Sequence, residues 1–168
     1  ARPDEGVLTS GATEADNAAI IGLAQAAAHA RRLGGAGGAQ PHVVVSAIEH
    51  DAVLAPAKRL EQLGFSVDRV QPDRNGFITA AALEQLMRPE TVLVSVMAAN
   101  SEVGSVQPVA ELARTVHAAG ALFHTDATQA LGKVPVNVVD WGCDAASFSA
   151  HKVGGPKGVG ALYVKSRT

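Results

Sequence analysis

Runs of β-branched apolar residues alternate along this chain with alanine-rich amphipathic stretches, and that alternation constrains the fold more than any other feature. Strands separated by helix-length segments become neighbours in a parallel sheet, because each crossover helix packs back onto a sheet face. Short strands are predicted at Val7–Thr9, His42–Ser46, Phe65–Val70, Thr91–Met97, Ala121–Thr125, Asp144–Ser149 and Gly160–Lys165. Their near-continuous apolar character suits burial on both faces. Helices are predicted from Thr13 to Leu33, Asp51 to Leu63, Thr79 to Met87 and Pro108 to Ala119, with Gly64 and Gly120 as C-terminal caps. The connection Gly154-Gly155-Pro156-Lys157-Gly158 is too short for a crossover helix, so the last two strands should pair as an antiparallel hairpin. The expected fold is α/β: a three-layer α/β/α sandwich around a mostly parallel sheet of about seven strands with an antiparallel last strand. Gly34–Gly38 reads as a flexible surface loop, and residues 1–168 show neither a repeat nor a second-domain boundary.

With 168 residues, 47% of them hydrophobic and 18% charged, the chain can bury one sizeable core. Fourteen basic against sixteen acidic side chains give a net charge of -2, which supplies no cationic surplus for a nucleic-acid partner. The apolar runs stop short of the roughly 20 residues that cross a bilayer, and the first residues lack the basic-then-apolar order of a secretory signal. A soluble, cytoplasmic chain with no membrane partner is expected. The single cysteine, Cys143, cannot form an internal disulfide or a zinc knuckle. Ala1 in place of a starting Met points to a trimmed or excised piece.

Ligands of an open parallel sheet bind outside the carboxyl ends of the strands, so the polar residues that follow each apolar run are the candidates for a site. They are Ser10-Gly11-Ala12-Thr13-Glu14 after the first strand, Glu49-His50 after the second and Asn100-Ser101-Glu102 after the fourth. Asp126-Ala127-Thr128-Gln129 and Ser149-Ala150-His151-Lys152 follow the fifth and sixth. Gly11-Ala12-Thr13 stands where a strand turns into a long helix, whose free N–H groups and dipole can bind a phosphate, although Ser10 or Thr13 could simply cap that helix. Asp126 could likewise be a cap, or could pair with a buried cationic ring nitrogen. An arbitrary lysine is a surface group, but Lys152 follows a buried-strand pattern, adjoins His151 and precedes two glycines; desolvated there, it could form a Schiff base with an aldehyde.

An amine for an aldehyde, an acid for a pyridine nitrogen and donors for a phosphate together match the demands of pyridoxal 5′-phosphate. Competing motifs are missing. The glycines of Gly34–Gly38 precede a strand and lack G-x-G-x-x-G spacing, and no P-loop, no H-E-x-x-H among the six histidines and no G-x-S-x-G elbow occurs.

The sequence resembles the class V aminotransferase family of fold-type I pyridoxal phosphate enzymes, and within it the cysteine desulfurases. The resemblance is carried by Thr9-Ser-Gly-Ala-Thr-Glu-Ala-Asp-Asn17, Glu49-His-Asp-Ala-Val53, Asn100-Ser-Glu-Val-Gly104, His124-Thr-Asp-Ala-Thr-Gln-Ala130, Ser147-Phe-Ser-Ala-His-Lys152 and Gly155-Pro-Lys-Gly-Val-Gly160. It implies that Lys152 is the covalent anchor of the cofactor and a proton shuttle, and that Asp126 pairs with the ring nitrogen. His50 would stack on the ring. Thr13, Ser149 and His151 would hold the phosphate with help from the Ala12-Thr13 backbone, Gln129 would contact the phenolic oxygen, and Asn100 would lie near the substrate carboxylate. The implied reaction turns L-cysteine into L-alanine and passes the sulfur, as a persulfide on an enzyme cysteine, to an acceptor protein for iron-sulfur clusters or other products. Family members are homodimers more than twice this long, so residues 1–168 are expected to be the cofactor-binding large domain, inactive alone, with an N-terminal segment and a C-terminal small domain missing. Cys143 is not expected to replace the family's reactive cysteine: it lies about six residues before Ser149, roughly 20 Å from the rim along an extended strand. Two alternatives stay open: another class V enzyme (a selenocysteine lyase, a kynureninase-like hydrolase or an aminotransferase), or a non-catalytic cofactor-binding module.

Overall fold

Val43, Val44 and Val45 are consecutive and all fully buried. Successive strand residues point to opposite sides of a sheet, so a run of this kind requires cover on both faces. The computed structural model, which describes residues 1–35 and 38–166, shows that cover. Strands β1 (Gly6–Thr9), β2 (His42–Ser46), β3 (Ser66–Val70), β4 (Thr91–Ser95), β5 (Leu122–Asp126), β6 (Ala145–Ser149) and β7 (Gly160–Val164) form one sheet in the order β1-β7-β6-β5-β4-β2-β3. β7 runs antiparallel to β1 and β6, and the other pairings are parallel. Helices α1 (Ala12–Leu33) and α2 (Asp51–Gln62) pack with Val43, Val45, Leu93, Ala145 and Leu162 on one face. On the other, α3 (Ala80–Leu86), α4 (Val109–Ala118) and α5 (Val138–Trp141) enclose Val44, Val94, Phe123 and Ala146. The three-layer α/β/α expectation holds, including the hairpin between β6 and β7.

α1 is the element that crosses from the β1 edge to the far side of the sheet. Its buried stripe, Ala15, Asp16, Ala19, Ile20, Leu23, Ala24 and Ala28, follows the helical period and is dominated by alanine, which allows close approach to the strands. At its far end the Arg31 guanidinium donates to the carbonyls of Pro89, Thr91 and Gly120 and so ties the helix to the segments leading into β4 and β5. Gly64 and Gly120 have φ of 89° and 72° just after α2 and α4, the left-handed conformation expected of them.

Three short elements were not foreseen: α5 and two 3-10 turns, Pro3–Glu5 and Ala150–Val153. A four-residue helix is too short to show a hydrophobic period, and α5 is set by its ends instead: the Asn137 side chain accepts from the N–H groups of Val139 and Asp140, and Gly142 adopts φ 69°. Part of the Gly34–Gly38 loop, residues 36 and 37, lies outside the described residues.

The chain leaves β2 toward β3 on one side, then proceeds from β4 through β5 and β6 to β7 on the other. The carboxyl ends of β2 and β4 therefore flank the point where the winding reverses, the favoured place for a ligand in such sheets.

Candidate functional site

The turn from β1 into α1 is built to leave helix donors free. Gly11 takes φ 152°, its carbonyl accepts from Thr9 Oγ1 at 3.0 Å, and among the described residues no side chain caps the helix. Glu14 instead accepts from the backbone N–H of Ser10 at 2.7 Å. The first N–H groups of a 22-residue helix thus open toward whatever occupies the turn, with the positive end of the helix dipole behind them. The turn is pressed against the β6–β7 hairpin. A Cβ on Gly160 would stand 2.5 Å from Gly11 Cα and 2.7 Å from the carbonyl oxygen of Phe148, so only glycine fits there.

Facing this turn are the ends of β2, β4, β5 and β6. Asp126, the last residue of β5, is buried and accepts from the N–H of Thr128 at 2.9 Å. His124, fully buried two residues earlier, bridges three strands: Nδ1 lies 2.9 Å from Ser95 Oγ on β4 and Nε2 lies 2.9 Å from Ser147 Oγ on β6. Burial pushes its pKa down to about 3, so the ring is neutral and works as a donor and an acceptor between two hydroxyls. Asp16 of α1 is also fully buried, with Oδ1 3.6 Å from His124 Nε2, and neither of its oxygens has a hydrogen-bond partner among the described residues. Desolvation first, and the nearby Asp126 second, hold its carboxyl well above the usual range. Glu49, after β2, accepts from Ser46 Oγ at 2.5 Å and from the Met97 N–H at 2.6 Å, clipping the end of β2 to the end of β4. Burial drives its pKa up to about 8.

A cavity of about 400 Å³ connects these parts, within the size range of small-molecule sites. Of the residues singled out from sequence, Ala12, Thr13, His50, Asp126, Gln129, Ser149, His151 and Lys152 all line it. His50 caps α2, its Nδ1 accepting from the Ala52 N–H at 3.1 Å, which fixes the ring plane and leaves the proton on Nε2. Ser149 Oγ and His151 Nδ1 are 2.8 Å apart. Gln129 Oε1 accepts from Lys133 Nζ at 2.5 Å, so its amide N–H groups remain to donate. Lys152 sits on the 3-10 turn after β6 and is exposed, so the desolvation expected of it is not supplied by the chain's own packing.

Asn100 stands apart from the other candidates. It is not among the residues lining the cavity, because its amide donates to the Ile48 carbonyl at 2.8 Å and to Met97 Sδ while its oxygen accepts from the N–H groups of Glu102 and Val103. Those bonds order the turn that presents Ser101, which does line the cavity. Asp16, Met97, Thr128 and Lys157 line it too and had been given no role from sequence. For Asp16 a signal existed: a charged residue inside the alanine stripe of an amphipathic helix is out of place unless it faces something. Cys143 is 1% exposed, and burial raises its thiol to about 12, the profile of an inert core residue.

The class-V aminotransferase family profile matches residues 1–168, the whole chain. The chain belongs to the class-V aminotransferase family. Similar proteins include cysteine desulfurase IscS of Dictyoglomus turgidum, 43% identical over 100% of this chain and 40% of the relative. Another is IscS of Anaeromyxobacter dehalogenans, 47% identical over 96% of this chain and 38% of the relative. Among solved structures, SspA in complex with cysteine superposes with a TM-score of 0.88 at 39% identity, covering 99% of this chain and 45% of SspA. DndA from Streptomyces lividans gives 0.85 at 45% identity, over 99% of this chain and 44% of DndA. The chain thus spans about 40% of the length of the curated relative from Dictyoglomus.

Proposed function

We propose that this chain is the pyridoxal 5′-phosphate-binding domain of a cysteine desulfurase, an enzyme that converts L-cysteine to L-alanine and transfers the sulfur as a persulfide. The observation that carries the reading is that one cavity is lined together by the open start of α1 at Ala12 and Thr13, by the carboxyl of Asp126 and by the amine of Lys152. The residues fit the cofactor. The buried Asp16 oxygens, which lack partners among the described residues and line the cavity with Asp126, suit a cationic ring, and a glycine turn at a helix start, too tight for any Cβ at Gly160, suits a phosphate.

Each residue has work that its geometry allows. The first N–H groups of α1, Thr13, Ser149 and His151 hold the phosphate. Asp126 keeps a ring nitrogen protonated, and His50, its plane fixed by the Ala52 N–H, stacks on the ring face. Gln129, with its oxygen held by Lys133, turns its amide N–H groups to the phenolic oxygen. Lys152 would hold the cofactor's aldehyde and would move a proton at the substrate's α-carbon. The cofactor, when bound, supplies an electron sink that accepts the negative charge developing at that carbon. Asn100 keeps Ser101 at the substrate side of the cavity. Cys143 is too deeply packed to accept sulfur, so the persulfide cysteine is one that these residues do not include.

The reading includes a cytoplasmic homodimer and a sulfur-accepting partner protein. Similarity to proteins named cysteine desulfurase favours cysteine over other class-V substrates. Full-length protein supplied with pyridoxal phosphate should release alanine from cysteine and carry a persulfide afterwards. Alanine released from kynurenine, with none from cysteine, would contradict the reading.

A further inference from the structure

Asp16 lies in the most tightly packed part of α1, beside Ala15, Ala19 and Ile20, none more than 1% exposed. Both its oxygens lack hydrogen-bond partners among the described residues, yet it lines the cavity. An unpartnered carboxyl buried this deeply is costly unless it is neutral or meets a cation. We propose that Asp16 is a second acidic positioning residue for the cofactor, holding a proton while the cavity is free and releasing it to solvent when Asp126 receives a cationic ring. This rests on the pyridoxal phosphate reading.

The surroundings of Asp16 admit little else. The ionisable groups facing it are His124 and Asp126 from β5 and Glu49 from the turn after β2, while β6 contributes the Ser147 hydroxyl, already engaged with His124. β4, β6 and β7 otherwise present apolar Leu93, Ala145 and Leu162 to the α1 face. Around the rest of the cavity stand Glu14 of α1 itself, His50 at the start of α2, and His151, Lys152 and Lys157 from the β6–β7 connection. Two neighbouring carboxyls ionise together only at a cost, which favours the protonated form of one of them. The raised pKa of Asp16 agrees with this. A ring cation placed against the pair removes that cost. The O–H bond of Asp16 then breaks with its electron pair left on the carboxylate, the proton passes to water, and nothing is oxidised or reduced. Positive charge on the ring nitrogen is thereby matched by two carboxylates, those of Asp16 and Asp126.

Asparagine has the shape of a protonated aspartate and cannot ionise, so Asp16→Asn separates the proposal from a merely structural role. The test measures binding of 4-deoxypyridoxine 5′-phosphate, which has no aldehyde and leaves Lys152 unreacted, to full-length protein across roughly pH 5 to 9. The unsubstituted protein should bind roughly ten-fold more tightly than Asp16→Asn near pH 8, with the gap closing toward pH 5. In infrared difference spectra, binding should remove a carboxylic-acid C=O band from the unsubstituted protein and from it alone. Equal affinity at every pH would overturn the proposal while leaving the cofactor reading intact, because the analogue would still bind. Failure of the unsubstituted protein to bind it would overturn both. Should Asp16→Asn fail to fold, the infrared experiment on unsubstituted protein decides: a carboxylic-acid band that persists on binding contradicts the release of a proton.

Discussion

Gly160 has no side chain because the backbone of Gly11 occupies the space where one would go. Gly160→Ala should therefore push the β1–α1 turn away from the hairpin, at a cost of about 1–3 kcal/mol in chemical denaturation, and weaken pyridoxal phosphate binding more than any surface substitution. Most site residues were legible at this scale because each follows an apolar strand, where a polar group has little structural reason to be. Two were not. Asp16 escaped because a lone acid in a helix is ordinarily a surface group, and only its place in the Ala15–Ala19 stripe betrays it. Asn100 sits at a strand end like the others, but its amide is used up within the Met97–Val103 segment and by Ile48, which a pattern of residue types does not reveal.

α1 serves the candidate site and the core at once, since one helix begins at the Gly11 turn that lines the cavity and packs along β4 to β7. Strain introduced anywhere along its buried stripe should reach the cavity. Ala24→Leu, at a fully buried position two turns beyond Asp16, is expected to cost about 1–3 kcal/mol and also to weaken cofactor binding. Leu112→Ala in α4, equally buried but on the opposite face, is expected to cost about 2–5 kcal/mol and leave cofactor affinity nearly unchanged. Paired denaturation and binding curves check both. The long elements could be read in advance from period and punctuation, strand ends shifting by a residue or two. β4 is an example: its apolar run continues through Met97, and Val96 still donates to the His124 carbonyl, but the ladder ends at Ser95. α5 was invisible because it is held by its Asn137 and Gly142 ends rather than by an apolar face, and the 3-10 turns are too short to show a period.

Across the whole molecule the buried ionisable groups pull stability in opposite directions with pH. Glu49, raised from 4.5 to about 8, contributes stability that is full below about 4.5 and lost as pH rises to about 8, and Asp16 acts in the same sense. His124, lowered from 6.5 to about 3, contributes stability that is full above about 6.5 and lost as pH falls to about 3; His42, also lowered by burial, adds to it. The opposing slopes offset one another between about 4.5 and 6.5, so the melting temperature should be highest there and fall on either side. Glu49→Gln, which copies the protonated acid, should flatten the alkaline decline while leaving the acid limb in place, as a pH series of thermal melts would show. The central claim of the proposed function is that residues from separate strand ends, which line one cavity, close on a single aldehyde-bearing ring. Borohydride reduction of full-length protein loaded with pyridoxal phosphate, followed by peptide mass mapping, tests that arrangement most directly. A pyridoxyl group on Lys152 is the expected result; a label on Lys157 or any other lysine, or no label at all, would contradict it.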